Sequence, residues 1–174
     1  MTRLAAITAF CLTLCVGFAL SAGEALAQGK AKITKHQVVG AWMYTAVYVE
    51  APDGKKTEPF GPNPKGMFIF MPNGRFSQHL IRPDLPKFAS NDRTKGTPEE
   101  NQAAVQGSLA YFGTYTVNEA DGTLTFRIEA STYPNWTGTT QARLVTSLTA
   151  SEMKFTNPAA STGGKAYVVL KKIP

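Results

Sequence analysis

The sequence predicts an all-β chain: a single antiparallel up-and-down barrel of eight or nine strands with one short helix. Apolar and polar residues alternate through most segments between Gly40 and Lys172. Short turn sequences such as Asp53-Gly54 and Pro72-Asn73-Gly74 separate those segments. No helical pattern of about 10–15 residues lies between strands, which argues against parallel βαβ units. A two-sheet sandwich is the alternative arrangement of the same strands.

The elements follow in order. GAWMYTAVYVE from Gly40 is rich in aromatic and β-branched residues and reads as the first strand, with a short strand near Lys55–Glu58 after the Asp53-Gly54 turn. The proline-rich stretch EPFGPNPKG lacks ladder donors and reads as a loop. Gly66–Met71 and Arg75–Arg82 form a hairpin, because Asn73 and Gly74 tolerate the positive φ of a tight turn. Residues 83–108 interrupt the pattern. Within them Thr97 caps a short helix, with Pro98 at its first position and Glu100 completing a capping box, and Gly107 ends it. This insertion reads either as a lid or plug at one barrel end or as surface decoration. Strands resume at 109–117, 123–131, 141–149, 153–157 and 166–172.

The N-terminus points to a compartment. Arg3, an apolar run from Leu4 to about Leu20, and the small-x-small sequence Ala25-Leu26-Ala27 make the layout of a secretory signal peptide over residues 1–27, cleaved before Gln28. The expected organisation is then a flexible lead-in over 28–37 and one barrel domain over 38–174, in a periplasmic or secreted protein. Neither Cys11 nor Cys15 follows a small residue, so a lipid anchor does not fit, and no membrane span remains after cleavage. Both cysteines leave with the signal, which excludes disulfides, thiolate chemistry and cysteine-based zinc sites from the mature chain. The net charge of +6 is scattered without a dense basic cluster, which argues against nucleic acid as a partner.

Gly40-Ala41-Trp42 resembles the G-x-W start of lipocalins. Pro59-Phe60-Gly61-Pro62, Lys65-Gly66, Pro72-Asn73-Gly74-Arg75, Tyr111-x-Gly113-Thr114-Tyr115 and Pro134-Asn135-Trp136-x-Gly138-Thr139, with Gln141 and Arg143, are similar to a bacterial lipocalin-like domain family from about Val38 to Leu170. The resemblance implies a lipocalin-like barrel in which Trp42 plugs the base and stacks with an arginine of a late strand, here Arg143. One departure stands out. The strand before the Pro-Asn-Trp loop in that family often carries histidines, whereas this chain reads Phe126-Arg127-Ile128-Glu129.

Candidate ligand-binding residues follow from strand faces. Trp42, Tyr44 and Tyr48 share one face of the first strand on strict alternation, and Tyr111 and Tyr115 share a face of another. Trp136 sits in a loop at a barrel end. Arg127 and Glu129 share a face, with Arg143 on the next strand, and would hold a polar head if that face points inward. The competing reading turns Leu124, Phe126 and Ile128 inward, and alternation alone does not choose. His36 and His79 are far apart in sequence and no carboxylate accompanies either, so no metal site is expected, and no cofactor. His79 reads as a wall residue. The leading functional expectation is a barrel that binds a small hydrophobic or amphipathic, possibly anionic, ligand. The alternatives are a lumenal isomerase or cyclase, whose acid or base would be Glu129, and a filled barrel that acts through its surface. Oligomeric state is not legible.

Overall fold

The computed structural model describes residues 33–174. The segment read as a signal peptide lies outside the described residues. In chain order the elements are α1 (Lys35–Val38), β1 (Gly40–Glu50), β2 (Lys56–Thr57), β3 (Lys65–Phe70), β4 (Arg75–Ile81), α2 (Pro98–Gln106), β5 (Ser108–Asn118), β6 (Thr123–Ser131), a single 3-10 turn (Pro134–Trp136), β7 (Thr140–Leu148), β8 (Glu152–Asn157) and β9 (Lys165–Lys172). β1 pairs antiparallel with β3, each strand from β3 to β9 pairs antiparallel with the next, and β9 returns to pair with β1. The meander therefore closes into an eight-stranded barrel, and β2 adds a two-residue pairing beside the far end of β1. The sandwich alternative falls, because closure satisfies both edges of the sheet.

Alternation sorts the side chains. Phe68 and Phe70 of β3, Phe76 of β4, Tyr111 and Tyr115 of β5, and Phe126 of β6 are buried in one core. Their rings stack in offset and edge-on pairs, such as Phe68 on Phe70 at 4.5 Å and Phe76 against Phe126 at 4.7 Å. Two glycines let the wall bend around these rings. Gly66 has φ +149°, and a Cβ there would collide with the His79 carbonyl. A Cβ on Gly113 would collide with the Arg127 carbonyl in the same way.

The flexible lead-in expected over 28–37 is corrected from Ile33 onward. Ile33 and Val38 are buried at the barrel base, and α1 is closed by a capping box between Thr34 and Gln37. The Trp42 indole donates to the Val38 carbonyl at 2.9 Å, which ties this short helix to β1. The base tryptophan does meet a cation, but it is Lys172, whose Nζ lies 5.0 Å from the ring and which also reaches the Gln37 carbonyl. Arg143 lies elsewhere, because its strand position carries it toward the other end of the lumen.

The helix of the insertion forms with the expected cap, box and terminal glycine. It buries no residue, and residues 83–106 contain none that is buried. Among the two readings of this segment, the structure fits surface decoration.

If Ile33 is a working part of the barrel base, Ile33→Ala lowers unfolding free energy by about 2–4 kcal/mol in denaturant titration, since the residue is only 1% exposed. A loosely attached N-terminal segment would leave the midpoint unchanged.

Candidate functional site

The turns that link β3 to β4, β5 to β6 and β7 to β8 lie at the α1 end of the barrel, and the longer connections lie at the other. At that second end the aromatic filling gives way to a cavity of about 50 Å³. Phe60 from the proline-rich loop, Trp136 from the 3-10 turn, and Ala160–Thr162 from the β8–β9 loop form its rim. Val47, Leu80 and Phe155 contribute apolar wall. Five polar side chains reach it from the strands: Tyr44 of β1, Gln78 of β4, Tyr111 of β5, Arg143 of β7 and Asn157 of β8.

Arg143 is the unusual member. It is 2% exposed, yet it makes no ion pair among the described residues. Its Nη1 donates to the Ala142 carbonyl at 2.9 Å and its Nη2 to the Gln141 amide oxygen at 2.7 Å, so both acceptors are neutral. The guanidinium also lies 5.7 Å from the ring centres of Phe126 and Trp136. Burial of an uncompensated charge costs on the order of several kcal/mol. Gln78 is equally buried, and its Oε1 has no hydrogen-bond partner among the described residues. Burial pushes the Tyr44 phenol well above its usual value, with Tyr111 adding to the rise, while a hydrogen bond with Gln78 and the charge of Arg143 oppose it. Tyr44 is therefore a neutral hydroxyl at physiological pH.

Residues 39–172 match the lipocalin-like domain family. The chain belongs to that family. Over 75 residues this lipocalin-like chain is 37% identical to the 4′-hydroxy-3′-methoxypropiophenone carrier protein of Aspergillus oryzae, a match that covers 40% of this chain and 68% of that protein. Among solved structures it is similar to a redesigned β-barrel, with 15% identity and a TM-score of 0.42, over 80% of this chain and 95% of the other.

The lipocalin-like barrel brings together four of the residues expected to bind ligand: Tyr44, Tyr111, Trp136 and Arg143. The other five lie elsewhere. Trp42 is buried at the closed base, and Tyr115 sits toward the same end, where its hydroxyl donates to the Met71 carbonyl at 3.0 Å. Tyr48 faces outward. A bulge at Thr45 shifts the β1–β9 register between Tyr44 and Ala46, so Val47 and Val49 turn inward in place of Tyr48. Tyr48 stacks instead on Tyr167 at 4.6 Å outside the barrel.

Arg127 and Glu129 are also outside, and Glu129 pairs with Arg75 at 2.7 Å. The reading in which Arg127 and Glu129 line the lumen together with Arg143 fails on register. Leu124 pairs with Arg143 and Phe126 with Gln141, so the apolar face of β6 shares the lumen with Arg143. Sequence reasoning missed Gln78 as a site residue. Its signal was present, since Phe76, Gln78 and Leu80 share a face on which Gln78 is the one polar residue. His79 lies on the opposite, outer face between Met67 and Ala110.

The raised Tyr44 pKa carries a sign. The folded state favours the protonated phenol, so its stability is intact below about pH 10, the ordinary tyrosine value, and falls as pH rises past it. Unfolding midpoints measured from neutral to strongly alkaline pH should show that fall, and Tyr44→Phe should flatten it. An equal alkaline slope in both proteins would contradict the placement of Tyr44.

Proposed function

We propose that this chain is an exported binding protein that carries a small, largely aromatic, amphipathic molecule in the upper lumen, beside Tyr44, Tyr111 and Arg143. The observation that carries the reading is the cavity itself: an aromatic-walled pocket with a few convergent polar groups, sealed at its base and rimmed by loops. Family membership supports it, as does the relative named as the carrier of a hydroxylated, methoxylated phenyl ketone. Export rests on residues 1–27, with release before Gln28 into the periplasm or beyond.

The cavity is smaller than the roughly 150 Å³ that accommodates benzene in an engineered protein core. Loading therefore requires the rim to yield. Phe60 and residues 160–162 belong to loops, and Gly163 and Gly164, with φ of +82° and +74°, give the second loop conformations open to few other residues. The enzymatic alternative loses its main support. Glu129 is outside, and the residues lining the cavity include no carboxylate and no histidine.

A surface-acting protein is the second reading, favoured by Met43 and Phe112, which stand 46% and 45% exposed on the outer wall. Native mass spectrometry of gently purified protein separates the two. The carrier reading expects a near-stoichiometric small molecule that denaturation releases. Protein that is empty under every growth condition tried would count against a carrier and favour the surface.

A further inference from the structure

The polar groups at the cavity are incomplete in a specific way, and the missing partners describe a ligand. Arg143 offers a buried cation whose two bonded acceptors are both neutral. Two of its five N–H groups are engaged, which leaves a planar fork suited to a carboxylate. Gln78 offers a buried amide whose oxygen has no donor. Both side chains line one cavity walled by Tyr111, Trp136 and Phe155.

A hydroxyl would complete Gln78, because it can donate a hydrogen bond and also accept one. A carboxylate would compensate Arg143, and one aromatic ring suits walls made of rings, which favour offset and edge contacts. We infer that the cavity recognises a single-ring aromatic carboxylate bearing a hydroxyl, with the acid on Arg143 and the hydroxyl on Gln78. This rests on the carrier reading and sharpens it. Arg143 is then retained for its ligand, since a buried guanidinium facing only neutral acceptors is weak support for the fold.

Calorimetric titration of the purified protein tests it with three probes of nearly equal size: 4-hydroxybenzoate, its neutral counterpart 4-hydroxybenzamide, and benzoate, which lacks the hydroxyl. The acid should bind at least about tenfold tighter than the amide, as a charge-assisted contact implies. That preference should vanish in Arg143→Met and survive in part in Arg143→Lys. 4-Hydroxybenzoate should also outbind benzoate, by a margin that Gln78→Leu removes. Circular dichroism confirms that each variant folds, and the three probes on the unaltered protein need no variant.

Equal affinity for acid and amide would overturn the inference while leaving a carrier of neutral aromatics intact. Failure of all three probes to bind would overturn it as well. The separate question of whether the protein carries any molecule is answered by what copurifies.

Discussion

The seam between β1 and β9 is the constraint on which the rest of the molecule depends. Eight residue pairs, from Trp42 with Lys172 to Glu50 with Lys165, turn an open meander into a barrel. Closure removes the edges that an antiparallel sheet would otherwise expose. It also makes every inward side chain converge on one lumen, so the core and any ligand site compete for the same space. In the described residues no cysteine is present to share the load, and the stacked rings of Phe68, Phe70, Phe76 and Phe126 supply the cohesion.

That competition is resolved along the barrel axis. Toward the base, Ile33, Val38 and Trp42 seal the lumen and rings fill it. Toward the mouth, the filling thins and the groups become polar: two tyrosines, a glutamine, an asparagine and an arginine. A fully apolar upper lumen would be easier to stabilise, because an uncompensated guanidinium and an unpartnered amide oxygen both carry desolvation cost. Groups that work against stability in a sheltered cavity are the ones expected to serve binding.

Much of the fold was legible because its determinants are local. Strand positions followed from alternation, the hairpin from Pro72-Asn73-Gly74, and α2 from Thr97, Pro98 and Glu100. The site was legible in part. Tyr44, Tyr111, Trp136 and Arg143 emerged from face and motif, but the bulge at Thr45 reversed Tyr48, and no local residue pattern announces such a bulge. Arg127 and Glu129 were undecided for a related reason. Whether Leu124 or Arg127 shares the lumen with Arg143 depends on the cross-strand register, which the loop between β6 and β7 sets. The cation at Trp42 depends on where β9 ends against α1, a long-range contact that spacing does not encode.

The central claim is that the mouth end of the lumen works and the base end holds. The chain has two tryptophans, one at each end, so their indole N–H signals in a proton–nitrogen correlation spectrum report the two regions separately. The decisive measurement is that spectrum recorded while 4-hydroxybenzoate is titrated in. The account predicts a saturable shift of the Trp136 indole, with the Trp42 indole, bonded to Val38, unmoved. A still Trp136, with shifts confined to the outer wall around Met43 and Phe112 or absent throughout, would contradict it.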